Sequence, residues 1–429
     1  MTPPPNEASP QKDRFFNPRR IPSSDKARAI VADVLGQVQK LETLHGLRKR
    51  GRKAKDQMVF EATVTAIISD LMYHQASGAE GGIAITRSNR YLGTSDRYRH
   101  PALNKAMPQL LDNLARPVMA FIEQDLGEDN PFGGQRRTTI HPGKRLLSRM
   151  QDHGITLDDF GLQPFIETIV LKRAKENYWD EGDVVEYEDT PSTREYRRQM
   201  VAINEWLSRA DLEFDNGVLL RDRSVDTQDR HLRRIFTRGS FECGGRLFGG
   251  FWQNLPKQER KDGIFINGED VAVLDFGQMN PRILYGLANV PLPQGDLYDI
   301  PGLENCRDGI KKVMNSVFFA DKPLQRFPKE TRRLFPTSIK FDQVTSGIEA
   351  KHPALAPFFF SGIGHRAMFI ESQVMVDLLL DLMDRGIVAL PIHDAVVVPR
   401  PQVEETVDRM LSSFLSHTGV EGVVSEEGT

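Results

Sequence analysis

The chain has 429 residues, 39% of them hydrophobic and 27% charged, with a formal net charge of −3. That length suits two or three domains, or one large domain with an extension, and the composition is that of a globular protein. No global basic field is present, so any surface for a polyanion must be local. The two cysteines, Cys243 and Cys306, exclude a disulfide framework and, without histidines at the usual spacings, a cysteine zinc site.

Both thiols are expected to be reduced, in an intracellular setting. The opening Met1-Thr-Pro-Pro-Pro-Asn6 has no apolar core for a signal peptide. The longest apolar stretch, Pro353 to Ile370, is interrupted by His365 and Arg366 and is too broken to span a bilayer. A cytoplasmic protein with no membrane anchor is expected.

Residues 1–24 are Pro-rich and polar and read as a disordered tail. From Asp25 to Leu44, Ala27, Ile30, Val31, Val34, Leu35, Val38 and Leu41 recur at helical spacing. Leu47 to Lys55 then places six basic residues in nine. That run is either a solvated linker or a phosphate-contacting arm. A second helical pattern covers Met58 to Tyr73 and is broken at Gly78 to Gly82. Leu103 to Gln124 and Leu157 to Asn177 also read as helices. Residues 25–228 are therefore expected to form a mostly helical region, thumb-like or nucleic-acid-binding.

The pattern changes near Asp229, just before the basic cluster Arg230-His-Leu-Arg-Arg234. Gly263 to Asn267 and Val271 to Phe276 read as strands. A long amphipathic helix is expected from Gly364 to Arg385, stopped by Gly386. Ile387 to Ile392 and Ala395 to Val398 then form a hairpin with His393-Asp394 at its tip, and Val403 to Phe414 is a final helix before the acidic Ser425-Glu-Glu427.

Asp275 and Asp394 each belong to an apolar, β-branched run. A carboxylate there is costly to bury unless its charge is paired. An arginine or a helix N-terminus could pair each one separately. Alternatively, the two could meet on one sheet and share divalent cations, the arrangement that two-metal phosphoryl transfer needs. Carboxylates without a His or Cys cluster suit Mg2+, with Mn2+ as an alternative, over zinc. Between them, Arg307, Lys311, Asn315 and Phe319 fall on one stripe of a helix: two cations, an amide and a ring. Such a stripe could grip a triphosphate and stack a base, or be a solvated basic face whose ring is in the core.

Several segments in order are similar to those of the family A DNA polymerases. They are Gly245-Arg246-Leu247 with Gln253-Asn254-Leu255-Pro256, then Asp275-x-x-Gln278-x-x-x-Arg282, Asp296-Leu297-Tyr298, Arg307-x3-Lys311-x7-Phe319-Ala320, and His393-Asp394. The resemblance covers about Phe236 to Arg400, and the single-subunit RNA polymerases share the same region. It implies an α+β right-hand fold, with an antiparallel-sheet palm and helical fingers over residues 229–429. It implies that Asp275 and Asp394 hold two Mg2+ ions, and that Arg307 and Lys311 bind the β- and γ-phosphates, with Lys311 also protonating the leaving group. Phe319 would pack beside the templating base and nascent pair, and Gln278, Asn280, Tyr298 and Asn315 are further nucleotide-binding candidates. Arg246, Gln253 and Asn254 would contact the primer-template, Gln278 and Arg282 would support that groove and the palm, and His393 would position the primer end. The expected partners are a DNA primer-template and dNTPs, with RNA possible.

Three residues depart from that pattern. Asn280 stands where the DNA polymerases usually carry a glutamate that blocks the nucleotide 2′-hydroxyl, Tyr298 where they show histidine, and Ala395 where a carboxylate follows His-Asp. Asn280 and Tyr298 keep open an RNA polymerase or primase-like enzyme using rNTPs. A catalytically weak nucleic-acid-binding protein with a polymerase fold is a further alternative. No Asp-x-Glu segment of a 3′→5′ exonuclease is recognisable in the N-terminal half, so proofreading is not expected.

Overall fold

The computed structural model describes residues 13–127, 137–175, 180, 182–218 and 225–427. The chain packs as two compact units, Met1–Ile166 with Asp222–Ser224, and Glu167–Arg221 with Val225–Thr429. Both are mixed α+β.

The first unit runs β1 (Arg14–Phe15), β2 (Arg20–Pro22), α1 (Asp25–Leu44), α2 (Ala54–Ala76), β3 (Ile83–Ile85), α3 (Asn89–Leu92), α4 (Met107–Ala115), β4 (Ile122–Asp125), β5 (Thr138–Pro142), α5 (Lys144–Asp152) and β6 (Phe160–Leu162). Helix α1 starts where Ser24 accepts the Ala27 N–H, and it buries the apolar stripe expected of it. Strands β1, β3, β5 and β4 form a four-stranded sheet, and β2 pairs with β6.

This unit is less helical than expected. The stretch from Leu103 to Gln124 is helical only over Met107–Ala115. Arg116 turns extended (φ −55, ψ 143), as a residue before a proline must, and the chain continues into β4. The Leu157 to Asn177 stretch holds one 3-10 turn (Leu157–Asp159) and strand β6, both in this unit, and a strand of the next unit at Ile169–Leu171; residues 176 and 177 lie outside the described residues. Residues 13–24 hold β1 and β2, where disorder was expected, because Arg14 donates to both oxygens of the buried Asp70 carboxylate at 3.0 and 2.9 Å. Residues 1–12, also expected to be disordered, lie outside the described residues. The unit boundary falls at Ile166/Glu167, where the sequence change suggested Asp229.

The second unit runs β7 (Ile169–Leu171), α6 (Pro191–Arg209), β8 (Leu212–Phe214), β9 (Leu232–Thr237), β10 (Ser240–Gly249), α7 (Lys257–Gly263), β11 (Ile264–Ile266), β12 (Glu269–Phe276), α8 (Met279–Ala288), α9 (Arg307–Phe319), α10 (Phe341–Lys351), α11 (Gly364–Asp384), β13 (Leu390–Ile392), β14 (Ala395–Pro399), α12 (Val403–Thr418) and β15 (Val424–Glu426). Its six-stranded sheet has the order β13-β14-β12-β11-β8, with β15 also on β12, and a separate three-stranded sheet has the order β10-β9-β7. Strands β12 and β14 are buried β-branched ribbons paired antiparallel from Val271↔Pro399 to Asp275↔Ala395. Helix α11 packs on β10, α8 and α12. It matches the expected Gly364 to Arg385 closely, and Gly386 follows in the left-handed region at φ 74.

Strand β10 approaches α11 closely because its register shifts at Gly244 and Gly245. Gly245 has φ +85, and a Cβ there would be 2.6 Å from the Ser372 hydroxyl oxygen on α11. Gly245→Ala combines backbone strain with a clash, so it should destabilise this unit by about 2 kcal/mol or more. Urea unfolding followed by tryptophan fluorescence checks this, because Trp206 and Trp252 both belong to this unit.

Candidate active site

Asp275 is the penultimate residue of β12, and Asp394 is the second residue of the two-residue turn between β13 and β14. His393 takes the left-handed conformation (φ 56) that tight hairpins need. The Phe276 N–H donates to the Asp394 carbonyl at 3.2 Å, and Asp275 stands opposite Ala395. The two aspartates, about 120 positions apart in sequence, are thereby neighbours at one end of one ladder.

Their environment is costly for negative charge. The Asp275 carboxyl is pushed up to about 7, by burial first and by the Asp394 charge next; Lys311 opposes the shift and Glu427 adds to it. Glu371 on α11, which sequence reasoning did not single out, is only 1% exposed and is also pushed up to about 7, mainly by burial. Asp394 and Asp275 add to that shift, while Arg246 opposes it through a bidentate pair whose Nη2–Oε2 arm is 2.7 Å. Arg246, expected at the primer-template, is therefore engaged with Glu371.

Helix α9 presents the expected stripe. Arg307 pairs with Asp296 at 2.5 Å and lies 5.4 Å from the Tyr298 ring centroid. Lys311 is exposed, and its charge acts on Asp275. Asn315 accepts from the Asn280 amide of α8 at 3.1 Å, and the Asn280 Oδ1 is buried with no hydrogen-bond partner among the described residues. Phe319 meets His365 edge-on at 5.0 Å and lies against Gly364, where a Cβ would be 2.6 Å from its ring.

Several residues expected to touch nucleic acid have internal partners. Gln253 donates to the Leu247 and Pro391 carbonyls at 3.1 and 2.9 Å and accepts the Gly249 N–H, so it ties β10 to the base of the aspartate hairpin. Trp252 donates to the same Pro391 carbonyl. Gln278 accepts the Leu297 N–H, and Arg282 donates to the Glu421 carbonyl at 2.7 Å. Asn254 is exposed, and His393 meets the Phe248 ring edge-on at 5.5 Å. Tyr298 is buried.

Two further supports were not anticipated. The His352 Nε2–H donates to the Leu297 carbonyl, which can only accept, so Nδ1 receives the Tyr285 hydroxyl; both distances are 2.8 Å. This fixes the backbone just before Tyr298. The C-terminal segment, read only as acidic, adds β15 alongside the aspartate strand, with Asp275↔Ser425 and Phe276↔Val424. The Gly277 N–H donates to the Val423 carbonyl at 2.7 Å, and Glu427 pairs with Lys257 at 2.9 Å. The valines at 420, 423 and 424 after Gly419 were the available signal for a strand.

Among the described residues, no group of three or more His, Cys, Asp or Glu side chains gathers around a single point. A cation held at Asp275 and Asp394 would take the rest of its ligands from substrate oxygens and water. That oxygen-only donor set fits Mg2+ or Mn2+, which commonly bind through one or two carboxylates plus phosphate. No helix among the described residues is long and apolar enough to cross a membrane.

No protein-family model and no curated protein matches the chain. Among solved structures, the POL domain of Pol1 from M. smegmatis, in complex with a DNA primer-template and dNTP, aligns over 94% of this chain and 68% of that one. The identity is 12% and the TM-score 0.32, a likeness too small to assign a fold or a function.

The raised Asp275 carboxyl makes a prediction for stability in the absence of metal. Between about pH 4 and pH 7 the unfolded carboxyl has lost its proton while the folded one keeps it, so stability falls as pH rises through that window. Asp275→Asn should therefore stabilise the protein by about 2 to 4 kcal/mol at pH 8 in EDTA, and by little at pH 4. Urea unfolding of both proteins at the two pH values measures the difference.

Proposed function

We propose that the chain is a template-directed nucleotidyltransferase resembling the family A DNA polymerases, adding dNTPs to a primer 3′-hydroxyl without a proofreading exonuclease. The observation that carries this reading is the meeting of Asp275 and Asp394 at one ladder end, with the charge of Lys311 acting there from a separate helix. In this reading the six-stranded sheet is the palm and α9 belongs to the fingers. A solely structural role would not require a second carboxylate, Asp394, beside a half-buried Asp275 whose charge it opposes.

Asp275 and Asp394 would hold the two Mg2+ ions, which when bound would acidify the primer hydroxyl and offset the triphosphate's charge. The 3′-hydroxyl gives its proton to solvent water, its oxygen forms a bond to the α-phosphorus, the bond from that phosphorus to the α–β bridging oxygen breaks, and pyrophosphate leaves. Lys311 would neutralise the developing charge and donate a proton to the leaving oxygen. Arg307 would exchange Asp296 for the β- and γ-phosphates, a closing motion of α9 that brings its cations onto the triphosphate. Phe319 would flank the nascent base pair.

A second reading, rNTP use, is favoured by one observation. The Asn280 amide N–H is taken by Asn315, and its buried carbonyl oxygen has no hydrogen-bond partner among the described residues. An acceptor in that state is costly until a donor arrives, and a ribose 2′-hydroxyl is such a donor.

Primer extension by the purified protein, with DNA and RNA templates crossed against dNTPs and rNTPs, tests both readings. Asp394→Ala should lower Mg2+-dependent extension by at least about a thousandfold; undiminished extension by that variant would sink the polymerase assignment. If Asn280 accepts a 2′-hydroxyl, Asn280→Leu should cut the rNTP-to-dNTP incorporation ratio by about tenfold. An unchanged ratio would remove the rNTP reading.

A further inference from the structure

The two units differ sharply in charge. Residues 1–166 carry 24 Lys and Arg against 18 Asp and Glu, a net +6, whereas residues 167–429 carry 32 against 41, a net −9. The unit with the candidate active site would thus, on balance, repel the polyanion it is proposed to extend. A cationic surface elsewhere in the chain would offset that repulsion.

The densest cationic surface in the first unit is the loop joining α1 to α2. Arg48, Lys49, Arg50 and Lys53 are exposed there, as is Lys55 in the adjoining first turn of α2, and none has an ion pair among the described residues. The sixth cation, Arg52, does different work. Its guanidinium pairs with Glu42 of α1 at 2.6 Å and lies 3.6 Å from the Phe60 ring centroid of α2. The loop is thereby pinned to both helices while five charges remain in solvent. Lys53 also occupies the start of α2 without a capping hydrogen bond, where a cation opposes the helix macrodipole. A solvated linker has no need of five unpaired like charges on an anchored loop, and they repel one another until an anion arrives.

We propose that this α1–α2 loop is a sequence-independent clamp for the phosphate backbone of duplex nucleic acid, supplying the grip that the acidic second unit lacks. The inference deepens the polymerase reading by naming the part that holds the primer-template. Arg48, Lys49, Arg50 and Lys53 each neutralise a phosphate, and Arg52 keeps the loop in place. Because such contacts release condensed counterions, binding should weaken steeply with salt.

The test uses the full chain and a fluorescein-labelled DNA duplex of about 20 base pairs, with anisotropy read across a salt series in EDTA without nucleotides. The variant Arg48→Ala/Lys49→Ala/Arg50→Ala/Lys53→Ala should lose more than tenfold in affinity near 0.1 M salt and reduce the slope of log affinity against log salt by about 3 to 4. Its thermal midpoint should not fall, since the four side chains have no ion pairs to lose among the described residues, and Arg48→Lys/Arg50→Lys should keep the slope. Unchanged affinity and slope in the alanine variant would overturn the proposal. So would intact duplex binding with loss of binding to phosphatidylserine vesicles, which would make the loop a membrane contact. The assay contains no catalysis, so failure of primer extension and failure of the clamp are separable results.

Discussion

Two carboxylates held side by side at the end of a buried antiparallel ladder are the constraint on which the second unit depends. Hydrogen bonding along β12 and β14 puts Asp275 opposite Ala395 and ties Phe276 to the Asp394 carbonyl, so neither charge can retreat without breaking the ladder. Burial and mutual repulsion raise the Asp275 carboxyl to about 7. The apolar sheet around the pair sets that cost, the backbone pairing of the ladder holds the two residues in place against it, and a divalent cation would convert the repulsion into attraction.

Much of the surrounding architecture serves to hold that ladder end. Gln253 and Trp252 converge on the Pro391 carbonyl beneath the hairpin. Strand β15 covers the other edge of the Asp275 strand, and Arg282 secures the segment leading to it. Gly245 allows β10 to close on α11, which places Arg246 against Glu371. Glu371 thus adds a third carboxylate to the local field, one already engaged by an arginine. Charge is unevenly divided along the chain: residues 1–166 carry a net +6 and residues 167–429 a net −9.

The long elements were legible because their periodicity is strong. Helices α1 and α11 and strands β12 and β14 lie within two residues of their expected bounds, α2 runs four residues earlier and three later than expected, β13 starts three residues late, and the α9 stripe is realised. The first unit's sheet was not legible, because its strands span two to five residues, too few for a period-two pattern to register against helical propensity. Long-range pairing decided those segments: Ile83–Ile85 is a strand because it pairs with β1 on one side and β5 on the other. Residue roles were less legible than positions. The side chains of Gln253, Gln278 and Arg282 were expected at nucleic acid or as supports, and each has a backbone partner within the protein.

The sequence by itself determined that two aspartates sit in apolar β-branched runs, that a basic helical stripe lies between them in chain order, and that Arg48 to Lys55 is densely cationic. These are local properties, set by residue type and spacing. Only the tertiary structure decided that the aspartates adjoin, that Glu371 and Glu427 add to their field, that the C-terminal segment flanks Asp275, and that, among the described residues, Arg52 alone of the basic run has an ion pair. Each of these depends on contacts between residues far apart in the chain, and spacing along a sequence carries no information about which distant partner will arrive.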